Sequence, residues 1–140
     1  LEMAGTGPLL NPMKALVKEL NLDSNVLFLG NVNQVATLYQ SAKILVLPSV
    51  VEGFPNTLIE AMSFGLPCIC FNDIPYEDII TPQMDGYVVS ERSAKLLANA
   101  INEIIGDDAL RESIGKNAQV SVKRFSKEKI AQKLLEFMKS

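Results

Sequence analysis

Two apolar runs, ILVL at 44–47 and CICF at 68–71, stand on either side of an amphipathic stretch that is closed by Gly65. A continuous apolar strand is the kind that parallel sheets require, because helical crossovers cover both of its faces. Residues 26–29 and 87–89 supply further short apolar strands, and 1–5 reads as another strand heading into a glycine turn. Strands of this kind alternating with helices predict an α/β fold: a three-layer, Rossmann-like arrangement around a parallel sheet. At 140 residues the chain is long enough for one domain with a sizeable core, expected to span 1–140.

Helical spacing places Leu9, Met13, Leu16, Val17 and Leu20 on one side of a helix at 9–20, with Pro12 tolerable in its first turn. A short helix over 35–42 carries Leu38 and Tyr39 inward. Asp85 and Gly86 form a turn into the strand at 87–89. From about 92 to 139 the chain reads as three helices that cover the sheet. Leu96, Leu97, Ala100, Ile101 and Ile104 recur in the first, and Asp107 or Asp108 caps a second that carries Leu110, Ile114 and Ala118. Ser126 caps the third, with Phe125 and Ile130 placed as a hydrophobic staple and a buried stripe through Ile130, Leu134 and Phe137.

Composition narrows the function classes. With 48% hydrophobic and 21% charged residues, the chain is globular rather than disordered. A formal charge of -3 gives no reason to expect a nucleic-acid partner. The basic residues gather late, at Lys116, Lys123, Arg124, Lys127, Lys129, Lys133 and Lys139. They read as solvated helix surface, with contact to an anionic membrane as the alternative. No histidine occurs, which removes the commonest metal ligand and general base. Cys68 and Cys70 point to one face of their strand, where the short C-x-C loop resists a disulfide, so they read as buried small hydrophobes. No apolar run approaches the roughly 18 residues of a membrane span, and a cytoplasmic location is the default expectation.

The stretch 49–67, SVVEGFPNTLIEAMSFGLP, is where the chemistry concentrates. It reads as the exit of a buried strand, a loop with Glu52, Gly53, Phe54 and Pro55, and a helix from Thr57 to Ser63 capped by Asn56. The amides of Asn56 to Ile59 are then unpaired donors at the positive end of a helix, suited to a phosphate. Glu60, about one turn in, is placed to accept hydrogen bonds from two vicinal hydroxyls. Phe54 reads equally as a contact residue and as a core anchor for the loop.

Two glutamates separated by seven residues, Glu52 and Glu60, within EGFPNTLIEAM and followed by GLP, resemble the signature of the retaining glycosyltransferases of family 4. TGP at 6–8, FLG at 28–30, LYQSAKILVLPS at 38–49 and FS at 125–126 are similar in content and order to that family's C-terminal domain. The resemblance implies the C-terminal half of a GT-B fold, truncated at its N-terminal edge. It implies a donor that is a UDP-sugar or GDP-sugar, with no cofactor and no metal. Asn31 would border the nucleobase, chiefly through backbone groups. Asn56, Thr57 and Leu58 would meet the diphosphate, Glu60 the ribose hydroxyls, and Glu52 with the backbone of Gly53 and Phe54 the donor sugar. Glu52 is expected to support an oxocarbenium-like donor electrostatically rather than act as a nucleophile.

The whole enzyme would move a hexose to a saccharide or lipid-linked acceptor in polysaccharide biosynthesis, in the cytoplasm or at a membrane surface. The acceptor would be held by an N-terminal domain outside this chain, as would the family's arginine and lysine clamp, so this piece alone is expected to be inactive. One departure stands out: the family's paired glycines after the fourth strand are replaced by Pro75, Tyr76 and Glu77, with Asp78 in the acidic position. The alternative reading is a non-catalytic nucleotide-sugar-binding or assembly module derived from such a domain.

Overall fold

The computed structural model describes residues 1–138, so the helix boundary expected at 139 and Lys139 lie outside the described residues. The chain divides into two compact units, Leu1–Leu38 and the remainder from Tyr39. In the first, β1 (Glu2–Ala4) pairs in parallel with β2 (Leu27–Gly30), in register Met3 to Phe28, with an irregularity before Ala4 opposite Gly30. Helix α1 (Leu10–Glu19) joins the two strands. Pro12 falls in its first turn, as expected. The expected apolar side is only partly used, however: Met13 and Val17 are half-buried, whereas Leu9, Leu16 and Leu20 are exposed.

Helix α2 (Val35–Ser41) leads to the second unit, where β3 (Leu45–Leu47), β4 (Cys68–Phe71) and β5 (Tyr87–Val89) form a parallel sheet in the order β3-β4-β5. Helix α3 (Asn56–Ser63) makes the crossover between β3 and β4. The central strand β4 is buried along its whole length, which explains its lack of polar alternation. Its side chains still divide by face. Ile69 and Phe71 pack with Val89 and with Ala100 and Ile104 of α4 (Ala94–Gly106). Cys68 turns the other way, its thiol 3.8 Å from the Leu58 carbonyl of α3. Helix, sheet, helix is thus the layer order of this unit, and both cysteines are free and buried.

The caps follow the local chemistry. The Ser93 hydroxyl accepts from the Leu96 amide at 3.3 Å, and Asp107 opens α5 (Asp108–Ser121) by accepting from Leu110 at 2.9 Å. Ser126 opens α6 (Lys127–Phe137) and accepts from Lys129. The buried stripe expected on α6 through Ile130, Leu134 and Phe137 is not formed. Ile130 and Leu134 are 53% and 58% exposed, because α6 packs chiefly on the 3-10 turn Val122–Phe125. Asp85 lies in the turn expected before β5, and its side chain is buried, accepting from the Thr81 amide at 2.7 Å and the Ser121 hydroxyl at 2.5 Å. No helix among the described residues is long and apolar enough to cross a membrane.

Candidate functional site

The loop 48–55 leaves the carboxyl end of β3 and enters α3, the position at which open α/β sheets present ligands. Its last turn is tighter than expected. Pro55, not Asn56, is the cap residue, with φ -78 and ψ 74, an inverse γ-turn in which the Asn56 amide donates to the Phe54 carbonyl at 2.9 Å. Asn56 is the first helical residue, and no side chain caps this end. The Leu58 amide donates to the Pro55 carbonyl at 3.0 Å, and the Leu58 side chain is fully buried. Two of the amides expected to be open are therefore engaged. The Thr57 amide has no acceptor among the described residues and remains a donor at this helix end.

The far end of α3 closes as a Schellman motif. Gly65, at φ 76, donates to the Met62 carbonyl at 2.9 Å, and Leu66 donates to Ala61 at 3.1 Å. The helix is thereby pinned at eight residues, which keeps Glu60 one turn from its start.

Glu52 is half-buried and makes no hydrogen bond among the described residues. Gly53 beside it has unstrained backbone, and a methyl group there would meet nothing within 4 Å, so the loop leaves open space next to Glu52. Phe54 is 47% exposed with its ring edge-on to Phe125 at 6.1 Å, so it is not the core anchor that the sequence left open. Glu60 is exposed, and its Oε2 accepts from the Tyr39 hydroxyl at 3.2 Å. Burial, then the charge of Glu60 and this hydrogen bond, push the Tyr39 phenol up to about 12, so it remains a donor across the physiological range.

Arg92 was not visible as a site residue, because sequence spacing marks it only as the start of a helix. It follows β5 and reaches across the carboxyl ends of the other strands of this sheet. Its Nε and Nη2 donate to both Asp73 carboxylate oxygens, at 2.5 and 2.9 Å, beyond β4. Nη1 donates to the Pro48 carbonyl at 3.1 Å and Nη2 to that of Ser49, beyond β3, while the guanidinium lies 4.8 Å over the Phe71 ring. Arg92 thus ties down the root of the Glu52 loop. Tyr39, read from sequence only as an inward core residue, was missed in the same way: its hydroxyl's target is set by tertiary packing.

Glu77 and Asp78 are exposed, and among the described residues no three histidine, cysteine or acidic side chains converge on one point. Within the late basic run, Arg124 is not free surface. It donates to the carbonyls of Ile79 at 2.7 Å, Asp78 at 3.0 Å and Ser121 at 3.1 Å. Asn31 lies in the first unit, exposed, just after β2. In that unit the TGP turn helps to line a cavity of about 320 Å³ with Met3, Met13 and Phe28.

Residues 1–121 match the sequence profile described as glycosyl transferases group 1. The chain is 30% identical over 118 residues to an Escherichia coli UDP-Gal:alpha-D-GlcNAc-diphosphoundecaprenol alpha-1,3-galactosyltransferase, covering 84% of this chain and 30% of that protein. Its structure resembles that of sucrose-phosphate synthase from Thermosynechococcus elongatus, with a TM-score of 0.87 and 31% identity over 99% of this chain and 37% of the other. It also resembles the C-terminal domain of a glycosyl transferase group 1 family protein from Francisella tularensis, with a TM-score of 0.75 and 29% identity, over 84% of this chain and 64% of that one. The chain spans about a third of the length of such curated relatives.

Proposed function

We propose, for a chain that belongs to the group 1 glycosyl transferases, that residues 1–140 act together as the donor-binding domain of a retaining hexosyltransferase. The donor is a UDP-sugar and the acceptor a saccharide or a lipid-linked saccharide. Of the two bases left open by the sequence, uridine is the one in the name of the Escherichia coli relative, whose acceptor is lipid-linked. The observation that carries the reading is the pair of carboxylates set about one helix end. Glu52 stands in the loop before α3 beside open space, Glu60 lies one turn inside it, and the open Thr57 amide falls between them.

In this reading Glu60 accepts from the ribose hydroxyls. The Thr57 amide and hydroxyl, with the Asn56 side chain, meet the diphosphate at the positive end of α3. The Leu58 amide contributes only by exchanging its Pro55 partner. Asn31 borders the base. The bond from the anomeric carbon to the diphosphate oxygen breaks with its electron pair going to that oxygen. The acceptor hydroxyl then attacks the same face and gives its proton to the departing phosphate. Glu52, with the backbone of Gly53 and Phe54, supports the positive charge that grows on the sugar. The reaction takes place in the cytoplasm, where exposed lysines of the last helices offer peripheral contact with a membrane.

The test is calorimetric titration of the full-length protein carrying this chain, as wild type and as Glu60→Gln, with uridine, guanosine and adenosine diphosphates. Uridine diphosphate should bind selectively, and Glu60→Gln should weaken it by roughly tenfold or more, the loss expected when a charged acceptor to two hydroxyls is neutralised. Equal binding by wild type and variant refutes the ribose assignment. No binding by the folded protein favours a non-catalytic module.

A further inference from the structure

We infer that Tyr39 is a positioning residue for Glu60, holding its carboxylate in the geometry that recognises the ribose. The inference rests on the proposed role of Glu60 and adds a residue from outside the two-glutamate motif. Glu60 sits on an exposed helix surface, where a glutamate side chain has three rotatable bonds and ordinarily samples many rotamers. Here Oε2 accepts from the Tyr39 hydroxyl at 3.2 Å. The phenol is not free to follow a wandering carboxylate. Tyr39 is buried, and its ring is tilted against Phe64 with centroids 5.5 Å apart. Phe64 is the C-terminal cap residue of α3, four residues after Glu60 and so on the same helix face.

One α2 side chain therefore grips α3 twice, by its ring at the helix end and by its hydroxyl at the carboxylate. The hydroxyl uses one lone pair of Oε2, leaving Oε1 and the other lone pair of Oε2 to accept from hydroxyls of a ligand. A carboxylate ordered before binding loses less rotational freedom when the ligand arrives, which strengthens the contact without adding an atom to it.

The experiment measures dissociation constants of uridine diphosphate and 2′-deoxyuridine diphosphate for the full-length wild-type protein, Tyr39→Phe, Asp107→Ala and Glu60→Gln. Tyr39→Phe keeps the ring and removes only the hydroxyl. Wild type should prefer the ribonucleotide, and Tyr39→Phe should reduce that preference by about three- to tenfold, the worth of one hydrogen bond. Asp107→Ala, which removes the α5 cap and touches neither Tyr39 nor Glu60, should lower the melting temperature and keep the preference. Because both ligands sample the same folded population, a general loss of stability leaves the ratio unmoved.

Discrimination that is present in wild type, lost in Glu60→Gln and fully retained in Tyr39→Phe overturns the positioning role alone. An equal weakening of both ligands by Tyr39→Phe overturns it as well, since that is a structural effect. No discrimination by wild type overturns the ribose assignment of Glu60 together with the inference.

Discussion

Gly115→Ala is the substitution on which the architecture around α3 makes its sharpest demand. Gly115 lies in the middle of α5 and is buried. A methyl group there would stand 2.2 Å from the Gly65 carbonyl oxygen, 3.3 Å from its carbonyl carbon and 3.6 Å from Pro67 Cδ. An ordinary carbon–oxygen contact is about 3.3 Å, so the methyl is short by about 1 Å. The obstacle is backbone. Gly65 holds a positive φ at the terminator of α3, with its own amide and that of Leu66 both committed to helix carbonyls, so the turn cannot move without releasing them. Overpacking of this kind costs about 3 kcal/mol at the upper end of the usual range, and the helix propensity of alanine returns about 1. The net loss is about 2 kcal/mol, or about 8 °C in melting temperature for a chain of this size. Gly106→Ala is the matched control, since Gly106 ends α4 with ordinary φ and nothing within 4 Å of the added methyl. It should be neutral or stabilising by up to about 1 kcal/mol. Thermal and urea unfolding of both variants decide the matter. A Gly115→Ala protein as stable as Gly106→Ala would refute the backbone contact between α5 and the end of α3.

Arg92→Ala should release the root of the Glu52 loop. The side chains of Arg92 and Asp73 are 31% and 43% exposed, so solvent screening limits their pair to about 1 kcal/mol, and the two carbonyl bonds bring the local loss to about 1–2 kcal/mol. Amide exchange over 48–55 should then accelerate roughly 5- to 30-fold. Arg92→Lys should restore only part, since an ammonium cannot make the paired contact. Unchanged exchange in the alanine variant would show that the loop is held by other means. A third expectation concerns alkaline pH. Burial and Glu60 raise Tyr39 to about 12, and burial with the Glu103 hydrogen bond raises Tyr87 to about 12. Both phenols keep their protons longer in the folded state than in the unfolded chain, where tyrosine titrates near 10. Their contribution is complete below about pH 10 and is lost as pH rises to about 12. Urea unfolding of Tyr39→Phe across that window should show a shallower decline than wild type; an identical slope would remove Tyr39 from the account.

What could be read in advance was local. The β3–α3–β4 crossover follows from two apolar runs and the glycine between them, and β4 and β5 fall where the apolar residues begin and end. Asp107 and Ser126 cap their helices as expected, because a short oxygen-bearing side chain before an amphipathic run leaves the backbone little better choice, and Ser93, which the sequence reading did not name, caps α4 by the same chemistry. Asn56 has the same side-chain chemistry and is not a cap. Pro55, with its fixed φ, closes a turn one residue earlier and draws Asn56 into the helix. Helical periodicity also could not say which apolar face would find a partner. Ile104 and Ile114 are buried under neighbouring elements, whereas Leu134 has the same spacing and stays exposed.

The residues that sequence reasoning missed share a physical cause. Glu52 and Glu60 are visible because their spacing along the chain defines them, but nothing within 49–67 explains how either carboxylate is held. The supports come from elsewhere: Tyr39 lies 21 residues before Glu60, and Arg92 lies 43 residues after Ser49. Each acts by a terminal polar group at the end of a buried or stacked stem, the Tyr39 ring on Phe64 and the Arg92 guanidinium over Phe71. A short motif can place two acids at a helix end. Keeping them there while the helix end also exchanges backbone hydrogen bonds requires anchors that do not move with it, and the sheet and α2 provide these. The candidate site is therefore better described by five side chains, with Tyr39, Asp73 and Arg92 beside the two glutamates, than by the motif alone. On the proposed function, substitutions at those three should weaken binding of uridine diphosphate before they change whether the chain folds.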